Sequence, residues 1–573
     1  MKHTKCYIPG YPRPQLVRKD WVNLNGEWAF SFGENVSEED ALLGKLPMMI
    51  NVPFCYESEL SGIGDTAMHH VVWYSRKISG KSGKRTILYF EGADYDTEVY
   101  VNGKMVGTHR GAYSRFSFDV TDRLVDGEGI LTVKCTDSDC AAQVRGKQRW
   151  EKDNFGCWYV QTTGIYKTVW LEYVDDVRLT SLKITPEISA NSVRFDLAVN
   201  NPSKDTEVRI KISYDGKLIR TASTLACDNE NTLTVRLESE SLTYQLETWS
   251  VWHPALYDVD IEVVNAGRVT DSVGSYFGFR EYTVRDGKII FNNCPFYAKL
   301  ILDQGYWKRS GITAPSEEAI MDDIRLSKEM GFNGCRKHQK NEDERFYYYA
   351  DIMGYTVWCE LPSNHWFTDA STRELTREWM DIIAQNYSHP SLVTWVIFNE
   401  SWGVRSINTN EKQQNLATGL YYLTKSFDSM RPVVSNDGWL HTKSDILTLH
   451  HYEQDAEKLY FFYDDRKKLT EGDNCNNQLA PFAEGWHYEG QPIILSEFGG
   501  THYANTEGWG YGSAVKTDEE FLARFGSLVN TVKKMNISGF CYTQLTDVQQ
   551  EVNGLLREDR TPKVPTEEIA KRL

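Results

Sequence analysis

The alternation of apolar and polar residues changes character near residue 283. Before that point, short alternating runs are separated by turn signals. An example is TILYFEGADYDTEVYVNGKMVGTH (86–109), whose Asn102-Gly103 pair favours a tight hairpin turn. After that point, helical periods alternate with short apolar runs. The first pattern is typical of antiparallel sheets and the second of parallel βα units. The sequence therefore predicts a β-rich half followed by an α/β domain.

The β-rich half divides into two predicted domains. Residues 1–175 contain eight or more short strand-like runs, which favour a jelly roll. Residues 176–282 repeat turn signals at intervals that are typical of a seven-stranded sandwich of immunoglobulin type, with runs such as TEVRIKISYDG (206–216). The Cys…Trp…Cys pattern of antibody domains is absent, so only the architecture is predicted.

Residues 283–573 have the size and the strand count of a (β/α)8 TIM barrel. Ser316 is predicted to cap one helix, and Ser371 with Glu374 is predicted to form a capping box at another. The eight predicted strands, in chain order, are FYAKLILD, FNGCRKH, YTVWCE, LVTWVIFNE, PVVSND, DILTLHHY, PIILSE and SGFCYTQLTD.

Polar side chains stand at the carboxyl end of nearly every predicted barrel strand. In barrels of this kind the chemistry lies at that end of the strands. The residues at or near the eight ends are Asp303, His338, Glu360, Asn399, Glu400, Asn436, Asp437, Tyr452, Glu497, Gln544 and Asp547. Because these ends would converge on one barrel mouth, the pattern predicts a polar pocket that suits a polyhydroxylated ligand.

Glu400 and Glu497 differ from the other strand ends because each follows an unusually apolar run, TWVIFNE or IILSE. Burying a carboxylate has a desolvation cost, so such positions call for a reason. Strands four and seven face each other across the mouth, and two opposed carboxylates are what glycoside hydrolysis needs. The alternative is a pair of structural carboxylates that bind Arg or Lys at the barrel rim.

The composition of the chain limits the classes of function that fit the sequence. The net charge of −17 argues against a nucleic-acid or anionic-membrane partner. The N-terminal stretch has no apolar signal region, and no apolar run reaches the roughly 18 residues of a membrane span. The 11 cysteines are scattered without a zinc pattern, which favours reduced thiols and a cytoplasmic protein. The aromatic content of 13% fits sugar-binding surfaces and large β-rich cores equally well.

Several motifs resemble those of glycoside hydrolase family 2. WVIFNESWG (395–403) and ILSEFGG (494–500) are similar to its acid/base and nucleophile motifs. YPRPQLVRKDWVNLNGEWAF resembles its N-terminal sugar-binding jelly roll, and GFNGCRKH resembles the second strand of its barrel. The resemblance extends over the whole chain, and the predicted domain order is the family's own.

The resemblance implies a retaining exo-glycosidase in which Glu400 is the general acid/base and Glu497 the nucleophile. By position, Asn399 would bind the sugar 2-hydroxyl and Tyr452 would hydrogen-bond the nucleophile. His338 corresponds to a substrate-binding residue and Arg336 to a supporting one. Further substrate contacts are implied for a group that includes two candidate stacking platforms: Asp303, Trp402, Asn436, Trp439, Gln544 and Asp547.

The sequence departs from the family pattern at points that bear on the sugar. Asn553 is followed by Gly554 and Leu555, so the Asn-x-Lys element that binds a uronate carboxylate in family glucuronidases is missing. LILDQGYW and CYTQLTD also differ from the usual strand ends. We therefore expect a β-galactosidase-like enzyme on neutral sugars. An α-L-arabinofuranosidase or β-D-galactofuranosidase of the same family is the alternative.

A non-catalytic carbohydrate-binding protein is the alternative from another class, and the presence of both Glu400 and Glu497 argues against it. No cofactor and no metal are predicted, because hydrolysis needs no cofactor and the acidic residues show no ligand spacing. The expected partner is a small oligosaccharide or glycoside, with neither nucleic acid nor membrane. The resemblance further implies a homo-oligomer.

Overall fold

The computed structural model describes residues 2–237, 246–471 and 480–573. Within these residues the chain forms an N-terminal pair of antiparallel sheets, a second antiparallel sandwich and a parallel eight-stranded barrel. The predicted fold class of jelly roll, immunoglobulin-like sandwich and TIM barrel is confirmed. No helix in the described ranges is both long and apolar enough to cross a membrane.

The N-terminal domain packs two main sheets, with orders β1-β12-β5-β9 and β3-β2-β4-β10-β7-β8, around an apolar core. Its one α-helix in the described residues is α1 (Glu38–Leu42). The strands are β1 (Trp21–Asn23), β2 (Gly26–Phe32), β3 (Met48–Val52), β4 (Val71–Ser79), β5 (Arg85–Phe90), β6 (Ala93–Asp94), β7 (Asp96–Val101), β8 (Lys104–Arg110), β9 (Phe116–Asp119), β10 (Glu128–Thr136), β11 (Gly164–Ile165) and β12 (Val169–Val174).

The second domain has two facing sheets with a separate apolar core, in the orders β13-β14-β17 and β16-β15-β18-β19. Its strands alternate buried and exposed residues, as expected when one face of each sheet is covered. They are β13 (Arg178–Glu187), β14 (Ser192–Asn200), β15 (Glu207–Tyr214), β16 (Lys217–Leu225), β17 (Glu230–Arg236), β18 (Tyr257–Asn265) and β19 (Arg268–Phe277).

The barrel sheet has the order β27-β26-β25-β24-β23-β30-β29-β28, with parallel pairing throughout. A three-stranded sheet of β20 (Tyr282–Arg285), β21 (Lys288–Phe291) and β22 (Cys294–Pro295) leads into it. The barrel strands are β23 (Ala298–Asp303), β24 (Gly334–Lys337), β25 (Thr356–Glu360), β26 (Leu392–Asn399), β27 (Val433–Asp437), β28 (Leu447–His450), β29 (Ile493–Gly499) and β30 (Gly539–Thr543).

Helices follow the strands on the outside of the barrel. They are α2 (Glu317–Glu329), α3 (Glu344–Met353), α4 (Asp369–Asn386), α5 (Glu411–Phe427), α6 (Ala456–Tyr463), α7 (Arg466–Glu471), α8 (Asp518–Lys534) and α9 (Thr566–Ala570). The predicted cap at Ser316 is confirmed, since its hydroxyl accepts a hydrogen bond from the amide of Ala319. The predicted capping box of Ser371 with Glu374 is wrong. The box is formed by Thr368 and Ser371, and the side chain of each accepts a hydrogen bond from the backbone amide of the other, so α4 begins three residues earlier than predicted.

Residues 137–163, which connect β10 to β11, lie across the mouth of the barrel, and we call them the rim segment. The amides of Arg145 and Gly146 both donate to the carbonyl of Ser363, which follows β25. Gly146 has φ +58°, and a Cβ there would collide with the carbonyl of Gln339. The absence of a side chain at Gly146 therefore lets the N-terminal domain approach the barrel backbone closely.

Candidate active site

The two glutamates singled out in the sequence lie at neighbouring points of the barrel mouth. Glu497 lies within β29 and is 5% exposed. Glu400 follows the last residue of β26 directly, and its side chain is 19% exposed. Both Glu400 and Ser401 adopt left-handed backbone conformations, with φ of +50° and +58°. Such strain in non-glycine residues clusters at functional sites, and it turns Glu400 out of the strand.

Asn436 holds this strained turn in place. Its side-chain oxygen accepts from the amide of Ser401 at 2.9 Å, and its side-chain nitrogen donates to the Ser401 hydroxyl at 2.9 Å. The amide of Glu400 donates to the carbonyl of Asp437 at 3.0 Å. Asn436 was predicted to bind substrate. The structure places it buried, with its amide group used by the turn.

His450 bridges the carboxylates. Its Nδ1 lies 2.9 Å from Glu400 Oε1, and its Nε2 lies 2.8 Å from Asp437 Oδ2 and 3.5 Å from Glu497 Oε1. Burial lowers the pKa of this imidazole, but Glu497 and Asp437 outweigh burial and raise it to about 10. His450 is therefore an imidazolium that donates to both sides. A Cβ at Gly438 would overlap its ring, so this packing requires glycine there.

Ligand atoms of Glu400, His450 and Glu497 all lie within 4.8 Å of one another, a spacing that could hold a metal ion. In the described part of the chain this is the one group of three with that property. An imidazole nitrogen offers its lone pair to a metal only when it carries no proton, so a metal ion and a proton would compete for the same nitrogen of His450.

Glu497 is fixed by two further donors. Arg336 donates to Oε1 and the Tyr452 hydroxyl donates to Oε2, both through short hydrogen bonds. Burial raises the pKa of Glu497, but the charges of His450 and Arg336 outweigh burial, and the net shift is downward. The carboxylate is thus held ionised in one orientation. The Tyr452 ring in turn stacks on Tyr511, with centroids 3.3 Å apart.

Arg336 lies at the centre of a buried charge network. One of its terminal nitrogens, Nη1, contacts Glu360 at 2.9 Å, Asn399 at 2.9 Å and Asp437 at 2.6 Å. The guanidinium and all its charged partners are buried. We call Arg336, Glu360, Asp437, His450 and Glu497 the floor cluster. Every charge in it has an opposite charge in contact, which is the condition for keeping ions out of water.

His338 and Trp402 lie beside the floor cluster. His338 Nδ1 is 3.1 Å from Glu360, and its ring centroid is 6.0 Å from that of Trp402. Burial, together with the charges of Lys147 and Arg336, lowers the pKa of His338 well below its usual value, so this imidazole is neutral. A neutral ring can accept a hydrogen bond from a hydroxyl as well as donate one.

The rim segment closes one side of the pocket. The ring of Trp158 lies 5.5 Å from Trp402, and its N–H donates to His365 at 3.1 Å. The Lys147 ammonium lies 4.8 Å from the Trp402 ring centroid. Trp402, predicted from the barrel motif, therefore forms a wall together with residues of another domain.

Three residues that were predicted to contact substrate have environments that differ from those of Glu400 and Glu497. Asp303 accepts from Lys337 at 2.8 Å and from the amide of Gly305 at 2.9 Å. Asp547 accepts from Lys563 at 2.6 Å. Trp439 is partly exposed beside Gly438. None of the three has a contact to Glu400 or Glu497 in the described residues, and their role in substrate binding stays a prediction.

Sequence reasoning did not assign roles to His450, Asp437, Tyr511 or Lys147. Asp437 was noted as a strand end, and His450 stands two residues before Tyr452 in the run HHY. The strand-end rule could have included both. Tyr511 and Lys147 lie in irregular segments, where no periodic signal marks them.

Models of three domains of one family match the chain in order. The sugar binding domain of "Glycosyl hydrolases family 2" matches residues 21–173. The model described simply as "Glycosyl hydrolases family 2" matches residues 177–280, and the family's TIM barrel domain matches residues 282–573. The barrel match alone spans just over half of the chain.

Individual relatives have low sequence identity to this chain. A β-galactosidase from Leuconostoc mesenteroides is 22% identical over 98% of this chain and 56% of its own length. A β-glucuronidase from Streptococcus agalactiae is 22% identical over 98% of this chain and 97% of its own. The solved structure of a Bifidobacterium dentium β-glucuronidase has a TM-score of 0.79 at 19% identity, covering 97% and 98% of the two chains. The chain spans about half the length of several curated relatives it matches.

Proposed function

Because the chain belongs to glycosyl hydrolases family 2, we propose that it is a retaining exo-glycosidase that cleaves a terminal glycosidic bond by double displacement. The observation that supports this most is the approach of the two carboxylates, since one oxygen of Glu400 and one oxygen of Glu497 lie within 4.8 Å of each other. Carboxyl groups of retaining enzymes lie about 5–5.5 Å apart, and those of inverting enzymes about 6.5–9.5 Å apart.

Glu497 is the proposed nucleophile. Its lowered pKa keeps it ionised, and contacts from Arg336 and Tyr452 hold it rigidly. In the first step a Glu497 oxygen bonds to the anomeric carbon while the bond from that carbon to the leaving oxygen breaks. The product of this step is a covalent glycosyl-enzyme ester.

Glu400 is the proposed acid/base. In the described part of the chain its carboxylate has one hydrogen-bond partner, His450 on Oε1, and Oε2 is left to face a substrate. In the first step Glu400 gives its proton to the leaving oxygen. In the second it takes a proton from water, whose oxygen attacks the anomeric carbon as the ester to Glu497 breaks.

The identity of the terminal sugar is the more specific part of the proposal. The neutral, β-galactosidase-like prediction rests on the missing lysine two residues after Asn553. In the structure the Asn553 side chain is occupied by Glu551 at 3.1 Å and Gln544 at 2.6 Å. Relatives carry the names β-galactosidase and β-glucuronidase alike, so names do not decide between neutral and acidic sugars.

Mechanism-based labelling tests the proposed reaction. A panel of 2-deoxy-2-fluoro glycosyl fluorides should form a stable ester, and peptide mass spectrometry should find the label on Glu497. Glu497→Gln should prevent labelling. Glu484→Gln, an exposed barrel glutamate, is the matched control and should label like the wild type. A label on another residue, or inversion of anomeric configuration during turnover, would refute the mechanism. Failure to label or to cleave any glycoside would favour the non-catalytic carbohydrate-binding alternative.

A further inference from the structure

The rim segment is hydrogen-bonded to the barrel loops that follow β23 and β30. The hydroxyl of Tyr159 donates to Glu551 at 2.5 Å and accepts from Gln304 at 2.8 Å. Asn154 donates to Gln549 at 2.6 Å. These bonds fix the position of the rim segment over the pocket, so its side chains are as well placed for ligand contact as those on the strands.

Lys147 is the feature of this segment that its protein contacts do not explain. It is 5% exposed, and its ammonium lies against the Trp402 ring face and the Cys157 thiol. Among the described residues no carboxylate oxygen lies within 4.0 Å of it. Glu551, the nearby acid of the post-β30 loop, already has its two oxygens engaged by Tyr159 and Asn553.

The other buried lysines of the described chain each have an oxygen partner. Lys337 contacts Asp303 at 2.8 Å, and Lys340 contacts Glu342 at 2.7 Å. Lys563 contacts Asp547 at 2.6 Å, and Lys167 donates to a backbone carbonyl at 2.9 Å. Lys147 differs from all four, although a buried cation without a counter-charge is costly.

The charge on Lys147 is nevertheless maintained. Burial lowers the pKa of the ammonium, while Cys157, Glu551 and Glu497 raise it, and the net shift is upward. A cation–π contact with Trp402 supplies part of the compensation. A ligand anion would supply the rest.

We propose that Lys147 is a specificity-determining residue that binds an acidic group on the terminal sugar, and that the substrate class is therefore glycosides of uronic acids. This proposal rests on the proposed function. It replaces the sequence-based expectation of a neutral terminal sugar with that of an acidic one. The sequence argument concerned the position two residues after Asn553, which holds Leu555 instead of lysine, whereas the cation Lys147 comes from the N-terminal domain. A carboxylate at carbon 6 and a sulfate ester on the sugar share the required chemistry, and the test separates them.

The test compares substrates that differ only at carbon 6: nitrophenyl β-galactoside with β-galacturonide, and nitrophenyl β-glucoside with β-glucuronide. The 6-sulfated galactoside is a further arm. The wild type should have a higher kcat/KM for at least one uronide than for its neutral partner. Lys147→Met, which keeps the length and removes the charge, should lower kcat/KM for that uronide about 10²-fold or more, because one member of a buried charge pair is lost. The neutral partner should lose much less.

Lys152→Met is the matched control, because Lys152 is an exposed lysine of the same segment, and it should keep the wild-type ratio. Lys147→Arg should recover part of the uronide preference. Free galacturonate and glucuronate should inhibit the wild type more strongly than galactose and glucose, and this difference should shrink in Lys147→Met.

Preference for the neutral member of both pairs, or equal losses for both members in Lys147→Met, would overturn the proposal. A preference confined to the sulfated sugar would overturn the uronide class. If one of these outcomes is found but the neutral glycosides are cleaved and Glu497 is labelled, the proposed function stands while this inference fails. If nothing labels Glu497, the proposed function itself fails.

Discussion

The floor cluster and the rim segment organise charge in opposite ways. In the floor cluster, Arg336 contacts Glu360, Asp437 and Glu497, and His450 contacts Asp437. In the rim segment, Lys147 faces an aromatic ring and a thiol without a carboxylate in contact among the described residues. A paired network is rigid and self-sufficient, whereas an unpaired cation is available to a ligand.

This difference suggests a division of labour between two domains. In the proposed mechanism the barrel supplies both carboxylates, and contacts that exist without substrate hold Glu497 ionised. The N-terminal domain supplies a group whose favourable partner would arrive with the substrate. Substitutions in the floor cluster should therefore change kcat/KM for every glycoside. Substitutions in the rim segment should change the ratio of kcat/KM between different glycosides.

The largest expected effect concerns the roles within the floor. Glu400→Ala should still form the glycosyl-enzyme from a nitrophenyl glycoside, which needs little protonation, but should hydrolyse it slowly. For an alkyl glycoside the loss should be about 10²–10⁴-fold, the usual value of general acid–base catalysis. Azide needs no base, so it should speed turnover and give a glycosyl azide of retained configuration. Steady-state kinetics on both substrates and NMR of the azide product measure these outcomes.

Glu497→Ala provides the contrast for that experiment. It should abolish turnover of both substrates, and any azide product should have inverted configuration. An inverted azide from Glu400→Ala, or near-normal turnover by Glu497→Ala, would show that the roles are assigned wrongly.

The switch in hydrophobic periodicity near residue 283 predicted the change from β-rich to α/β structure, and the turn spacing and strand counts predicted the three domains. The N-cap of α4 at Thr368 was not predicted, because capping depends on which hydroxyl reaches which amide. Glu374, predicted to complete the capping box, instead binds Arg110 and Tyr95 of the N-terminal domain. Local sequence could not reveal that competition, since the partners lie more than 250 residues away.

Residues of the candidate site could be predicted from the sequence where they lie in or next to barrel strands. Glu400, Glu497, Tyr452 and Arg336 belong to regular elements or directly follow them, and a barrel brings such positions together. Lys147 was not predictable in this way, because an irregular segment has no periodicity and its position depends on docking. Asp303 also ends a strand, but the structure pairs it with Lys337.

A second prediction concerns the pH dependence of stability in the floor. The pKa of His450 is raised in the folded protein to about 10, from about 6.5 in an unfolded chain. Its contribution is therefore fully present below about pH 6.5 and is lost as pH rises towards 10. His450→Gln should remove this contribution, on the order of a few kcal/mol. The free energy of unfolding should then fall less steeply between pH 6.5 and 10 than in the wild type.

Denaturant unfolding at several pH values measures this difference. His253→Gln, which changes an exposed histidine of the second domain, is the control and should follow the wild-type profile. An unchanged pH slope in His450→Gln would mean that the imidazole is not held as a cation between the carboxylates.

The smallest expected effect concerns the attachment of the rim. Tyr159→Phe removes the hydroxyl that joins Glu551 to Gln304, while the ring still fills its place. A hydrogen bond to a charged group is worth about 1.5–3 kcal/mol, so the free energy of unfolding should fall by roughly that amount. The amide of Tyr159 donates to the carbonyl of Lys147, and the partners of its hydroxyl are Glu551 and Gln304 rather than members of the floor cluster. The ratio of kcat/KM between a uronide and its neutral partner should therefore change more than turnover of the neutral glycoside. Tyr422→Phe removes an exposed phenol on α5 and should leave both quantities unchanged. Equal losses of kcat/KM for both sugars in Tyr159→Phe would mean that the rim segment supports the reacting carboxylates as well, and the separation between floor and rim would not hold.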